Sequence, residues 1–199
     1  MKSVSPTRAF TEGWGLTASL AALLSAACLL HLAVLGTGSE SVRALARATA
    51  RSSLLLFSAA SAASALRRLW PSQTTAWLLR NRRYLGLSFA ASHGLHLACV
   101  LTVIFLYPED YETDPLAIAF GGAAYLVLAA MAATSTDATA AWLGRERWRQ
   151  LHGFGIWYLH FIFAFTLVPE MTRSPLYLAQ GLLALLVPAL RIVGRPRRG

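Results

Sequence analysis

The chain has 199 residues, 56% of them hydrophobic and only 14% charged. A soluble domain of this length carries about a quarter charged residues, so the balance points to lipid as the solvent. The formal charge of +9 invites a nucleic-acid reading, but its distribution along the chain is a membrane-topology signal, and no nucleic-acid partner is expected.

A hydrocarbon core of roughly 30 Å needs about 20 apolar residues per helix. The first window free of Asp, Glu, Lys and Arg covers residues 14–35. Lys2 and Arg8 precede it, as they would a secretory signal. Its apolar stretch is too long for one and no convincing small-x-small cleavage site follows, so the segment is expected to be retained. The second window, 52–66, is shorter and flanked by Arg51 and Arg67, whose long stems let the charge snorkel to the headgroups. Uncharged windows follow at 84–107, 115–136 and 150–169, then a last shorter one at 174–190 between Arg173 and Arg191. The expected fold is therefore an all-α membrane protein. It is a six-transmembrane-helix bundle with spans at approximately 14–36, 48–67, 84–107, 115–136, 149–169 and 174–192, forming a single domain over 1–199. Period-2 alternation is missing, so a barrel is not expected. Cys28 and Cys99 lie inside spans without a Cys-x-x-Cys pattern, which supports neither a disulfide framework nor a zinc site.

Orientation follows from the 18 basic residues. With the chain starting inside, the cytoplasmic segments hold Lys2, Arg8, Arg67, Arg68, Arg80, Arg82, Arg83, Arg145, Arg147, Arg149, Arg191, Arg195, Arg197 and Arg198. The outer segments hold Arg43, Arg47, Arg51 and Arg173. Acids fall the other way, with Glu40, Glu109, Asp110, Glu112, Asp114 and Glu170 outside. The positive-inside rule places both termini in the cytoplasm of a multi-pass protein of a bacterial inner membrane. Connections are short, so successive helices run antiparallel. The longest inner link, 67–83, holds Pro71 and Ser72 and has no room for a domain. No phosphate loop, dinucleotide fingerprint or internal repeat occurs.

All five histidines fall within hydrophobic spans: His31, His93, His96, His152 and His160. Ionisable residues are costly in lipid and usually face the bundle interior for a reason. Neutral imidazole is also a common axial ligand of haem iron. Counting inward from Tyr84, His93 lies about 14 Å deep and His96 about 18 Å. Counting from Arg149, His152 lies about 4 Å deep and His160 about 16 Å. His96 and His160 are thus nearly level, and they form the best pair of iron ligands. His93, three residues before His96 on the same face, is the alternative third-span ligand. His152 near the inner surface suits a second haem or an interfacial hydrogen bond. An intramembrane histidine also serves simply as an interhelical hydrogen-bonding residue, which is the plainer reading of His31.

Two blocks carry a family resemblance. Arg82-Arg83 and Leu85-Gly86-Leu87 open the third span, with His96 nine residues after Leu87. Thr134-Ser135-Thr136 ends the fourth span, Trp142-Leu143-Gly144 forms a turn, and Trp148 with Leu151-His152 opens the fifth. In these segments the chain resembles the ferric-reductase-like transmembrane domain family, and most nearly its haem-bearing membrane partners of periplasmic methionine sulfoxide reductases. The resemblance implies haem b held by histidines of the third and fifth spans, and electron transfer across the membrane. His96 and His152 fall on family ligand positions. The family's second fifth-span histidine would fall on Phe165, and His160 stands five residues before it. No histidine stands near Tyr84 to complete an inner site of the oxidase type. Ala46 to Ala50, "ARATA", is similar to the second-span start of oxidase-like members, where an arginine lies beside the outer haem; here that is Arg47.

Apart from the resemblance, Arg43, Arg47 and Arg51 share one helix face at i, i+4 and i+8. A guanidinium at the outer rim suits a haem propionate through paired hydrogen bonds, and it suits lipid headgroups equally.

Two functions compete on this reading. One is a haem b electron conduit with one or two haems, in which FMN, a cytoplasmic flavin reductase or a quinone is the donor. The acceptor is then a periplasmic reductase subunit or ferric iron. Such a chain is the iron-binding electron-transfer component of an oxidoreductase system and has no soluble catalytic domain of its own. The other is a haem-free transporter or assembly scaffold whose histidines relay protons or pack. Against it stand the lack of an inverted repeat and of intramembrane carboxylates.

Overall fold

The structure, a computed structural model, describes residues 10–110 and 115–195. Lys2, Arg8, Glu112, Asp114, Arg197 and Arg198, which entered the charge count, lie outside the described residues. The described residues form helices α1 (Gly13–Leu35), α2 (Ser39–Leu69), α3 (Gln73–Leu106), α4 (Pro115–Ala133), α5 (Asp137–Leu143), α6 (Arg145–Leu167) and α7 (Pro175–Val193), with a 3₁₀ turn at Pro108–Asp110. There is no strand among them. Two compact units are distinguished: Met1–Phe57 with Tyr84–Glu112, and Ser58–Arg83 with Thr113–Gly199. Helices α2 and α3 contribute to both.

Four helices are long and apolar enough to cross a membrane: α1, α3, α4 and α7. Helices α2 and α6, expected as the second and fifth spans, carry more charge. Arg43, Arg47 and Arg51 sit along the first part of α2, and Arg145, Glu146, Arg147 and Arg149 open α6. Leu23, Leu30 and Val34 of α1, Phe105 of α3 and Leu126 of α4 are all largely exposed. Side chains of this kind, with no protein neighbour to cover them, need lipid.

The expected inner link at 67–83 is mostly helix. Only the stretch around Trp70 to Ser72 interrupts it, because Ser72 and Thr75 cap α3 reciprocally: Thr75 N donates to Ser72 Oγ at 3.1 Å and Ser72 N to Thr75 Oγ1 at 2.9 Å. Helix α3 therefore begins well before the apolar window that announced it.

In the first unit, α1 ends at Gly36, whose φ of 77° favours glycine and whose N–H bonds Leu32 O. Thr17 Oγ1 donates to Tyr84 O at 3.1 Å and Trp14 meets the Tyr84 ring edge-on. Tyr107 Oη donates to Thr37 O at 2.7 Å. The core between α2 and α3 is Leu45, Leu54, Phe57, Leu85 and Phe89, and the rings of Phe57 and Phe89 are 5.1 Å apart.

In the second unit, Thr136 caps α5 through Thr139 N, and Ser174 with Pro175 starts α7. The predicted Trp142–Gly144 turn is the end of α5, closed by Gly144 at φ 83°. Arg83 donates to Asp137 on α5, and this bond, with the arginine's charge, holds the Asp137 carboxyl below its ordinary range. Helix α6 packs against α4, α5 and α7. Glycines set the closest approaches: a Cβ on Gly155 would meet Met131 Sδ, and one on Gly194 would lie 2.7 Å from Ala65 Cβ and 3.0 Å from Ala65 Cα. A methionine tail can yield, but helix backbone cannot. Gly194→Ala is therefore expected to destabilise the protein by about 1–3 kcal/mol in thermal unfolding in detergent. Gly86→Ala, with nothing near its Cβ, should lose nothing. Equal melting of Gly194→Ala and the parent protein would disprove the close contact.

Candidate functional site

The histidines fall in both units, and each group has its own setting. In the first unit, α3 carries His93 and His96 one turn apart, with ring centroids 5.2 Å from each other. Phe89 lies a further turn before, 5.4 Å from the His93 ring. His93 is buried and His96 half-buried.

Nδ1 of His96 lies 2.9 Å from the carbonyl oxygen of Ala46 on α2. A carbonyl only accepts, so Nδ1 carries the proton. The lone pair of the neutral ring then sits on Nε2, the atom that metal-ligating histidines commonly present. A ligating imidazole usually gives its second N–H to a backbone carbonyl or carboxylate, which fixes the tautomer and the ring plane. His96 has that arrangement.

The turn below it is pinned by hydroxyls. Ser92, fully buried, meets Ser52 Oγ at 2.8 Å and Ser53 Oγ at 3.0 Å, and Ser53 also donates to Thr49 O. Short polar side chains let α2 and α3 approach closely while their hydrogen bonds are met inside the protein. The same face of α2 that holds Ser92 also offers Ala46 O to His96.

His31, on α1, places Nε2 3.2 Å from Ser41 O, which is the hydrogen-bonding role expected of it. Arg47 donates to Glu40 at 2.8 Å, and both side chains are substantially exposed. Pairs of this kind contribute little to stability.

In the second unit, α6 carries His152 and His160. The His152 ring stacks on Trp148 at 4.2 Å, and its Nε2 lies 3.1 Å from Thr134 Oγ1. That hydroxyl spends its proton on Ala130 O at 2.7 Å. It therefore accepts from His152, so Nε2 is the protonated atom and Nδ1 is left with the lone pair. Trp148 Nε1 donates to Thr134 O, anchoring the same corner. His160 is buried, 5.9 Å from the Trp157 ring.

These side chains fit a haem: neutral imidazoles in apolar surroundings, with His96 carrying the supporting hydrogen bond that ligation calls for. His96 could offer Nε2 to the iron directly, and His152 would offer Nδ1. The roles of Ala46 O, Ser92 and Thr134 had no mark in the sequence, because each depends on a partner helix.

No family model matches the chain, and no solved structure matches it. Two curated proteins are similar, both described as the protein-methionine-sulfoxide reductase heme-binding subunit MsrQ. That of Ralstonia nicotianae is 33% identical over 144 residues, covering 65% of this chain and 62% of the relative. That of Azospira oryzae is 38% identical over 84 residues, covering 38% of this chain and 34% of the relative. The chain thus spans less than two thirds of the curated relatives it matches.

The hydrogen bonds predict distinct tautomers in haem-depleted protein. Nitrogen-15 NMR of labelled histidines should find His96 protonated on Nδ1 and His152 on Nε2; the reverse at His96 would remove the case for Nε2 ligation. In sequence, then, the chain is similar to these two MsrQ heme-binding subunits over the stretches given.

Proposed function

We propose that this protein is a haem b-binding electron-transfer subunit of a methionine sulfoxide reductase system. It passes electrons across the inner membrane to a periplasmic reductase. The observation that carries the reading is the His96–Ala46 hydrogen bond, which leaves Nε2 available for iron at a position where the MsrQ-like resemblance calls for a ligand. The names of the two relatives support the haem and the reductase partner.

The proposed architecture is a single domain of six spans with both termini in the cytoplasm. Helices α2 and α6 cross with their arginines at the two headgroup layers. Their uncharged stretches, the skew of basic residues to one side and the snorkelling reach of arginine support this count. His96 of the third span and His160 of the fifth are the proposed axial pair, from their similar depth by helical rise. His152 is the second candidate on the fifth span, and His93 the alternative on the third. One haem is held by the first pair, and a second would take His152. Flavin mononucleotide, a flavin reductase or a quinone is the donor class such a site would serve.

The haem supplies the one-electron redox chemistry when bound. The chain's own residues supply the rest. Ala46 O orients the His96 ring, the Ser52–Ser53–Ser92 hydroxyls hold its helix in register, and the apolar helices keep water from the imidazoles. Thr134 and Trp148 fix the ring of His152.

Purified protein should show a Soret band that sharpens and shifts on dithionite reduction. His96→Ala and His160→Ala should each cut the haem per protein by about tenfold or more, since an axial ligand outweighs the 10- to 100-fold typical of its supporting contacts. His31→Ala should hold full haem. Full haem in both ligand variants would overturn the pairing. A folded, colourless parent protein would favour the haem-free transporter or scaffold instead.

A further inference from the structure

Four arginines of the second unit converge where the C-terminal ends of α2 and α7 meet the third turn of α3. Arg191 on α7 reaches across to Ser61 O on α2, and Arg68 on α2 reaches back to Gly194 O. Arg82 on α3 donates to Ser64 Oγ at 2.9 Å. Arg191 and Arg195 lie over the Trp157 ring of α6, 6.0 and 5.3 Å from its centroid. Arg68, Arg82 and Arg195 are the neighbouring charges that act on Arg191.

No carboxylate among the described residues pairs with any of the four. The ion pairs among the described residues are elsewhere, on Arg47, Arg83, Arg149 and Arg173. Arg191 is half-buried, and its Nε, fully covered, has no hydrogen-bond partner. Uncompensated positive charge in a covered site is costly, and a buried donor left unmade costs more. The missing component is an anion with several acceptor oxygens. The headgroup of an anionic lipid would meet the exposed rim of Arg68, Arg82 and Arg195. The covered Nε of Arg191 is a different case: Arg191 and Arg195 lie over the Trp157 ring, and that ring is 5.9 Å from the His160 ring on the same helix. His160 thus shares an aromatic neighbour with two arginines of this cluster. A ligand that brings its carboxylates to the arginines while its centre lies by His160 satisfies both.

We propose that Arg68, Arg82, Arg191 and Arg195 seat the propionate carboxylates of a haem held on α6. This assignment rests on the haem-binding reading above. It moves the propionate anchor from Arg47, whose guanidinium is engaged by Glu40, to the arginines counted in the sequence only as a topology signal. Guanidinium and carboxylate match in planar geometry through paired charge-assisted bonds. Trp157 adds cation–π attraction for two of the guanidiniums, Arg191 and Arg195.

The test titrates the full chain, purified in detergent from haem-limited cells, with protohaem and with its dimethyl ester, in which both carboxylates are blocked. The parent protein should bind the free acid about tenfold or more tightly than the ester. The double variant Arg82→Gln/Arg191→Gln should lose this preference by weakening the free acid alone. Its unchanged affinity for the ester then shows that it is folded. Arg191→Lys should keep part of the preference, and Arg47→Gln all of it. A preference that survives in the Arg82/Arg191 double variant, or disappears in Arg47→Gln, overturns the assignment. So does loss of co-purifying anionic phospholipid from the double variant with the preference intact, which would make the pocket a lipid site. If neither compound gives a Soret band with the parent protein, the haem-binding reading itself fails. Binding of both with equal affinity removes only the propionate seat.

Discussion

An imidazole N–H inside a bilayer has no water to turn to, so it must find its acceptor within the protein. In this chain His96 finds it in the carbonyl of Ala46 on the neighbouring helix. That one bond decides which ring nitrogen keeps a lone pair, which way the ring faces, and how closely α2 and α3 must lie at that level. The buried serines a turn below serve the same end. They trade hydrogen bonds among Thr49, Ser52, Ser53 and Ser92, so that two helices can touch without leaving a polar atom unmet. The bonds are individually modest. Together they specify a single register, and register is what a ligand site requires.

The second unit solves a related problem with different groups. His152 is held between a hydroxyl and an indole, and His160 lies buried near Trp157 with an arginine in electrostatic reach. Glycines let the helices approach at Gly155 and Gly194, where larger residues would hold them apart. Four arginines gather without acids where α2, α3 and α7 meet. Arg191 and Arg195 of this group lie over the Trp157 ring.

Much of the fold was legible in the sequence, because lipid selects long uncharged windows and these are visible one residue at a time. The windows at 14–35, 84–107, 115–136 and 174–190 each correspond to a helix of membrane-crossing length and composition. Helix limits were less legible. Helix α3 starts at Gln73, since the reciprocal cap of Ser72 and Thr75 lies outside any apolar stretch. Arg80, Arg82 and Arg83 were read as link when they ride on helix. The histidines stood out as the costly residues of the spans. Their tautomers did not, because Ala46 O and Thr134 Oγ1 are distant in sequence and chemically ordinary until a second helix brings them close. Arg47, which shares a helix face with Arg43 and Arg51, bonds Glu40 seven residues before it, a pairing that the i, i+4 spacing of the arginines does not reveal. Arg68, Arg82, Arg191 and Arg195 read in the sequence as charge alone, because their convergence depends on helices far apart in the chain.

Ligation by His96 through Nε2 is tested most directly by removing the ring and supplying it again from solution. His96→Gly leaves a space the size of the lost side chain, and free imidazole can enter it without a tether. The expected result is a protein poor in haem that regains a low-spin haem spectrum as imidazole is added with protohaem, while N-methylated bulky analogues fail to restore it. Parental haem content in His96→Gly with no imidazole present would contradict the role given to this residue.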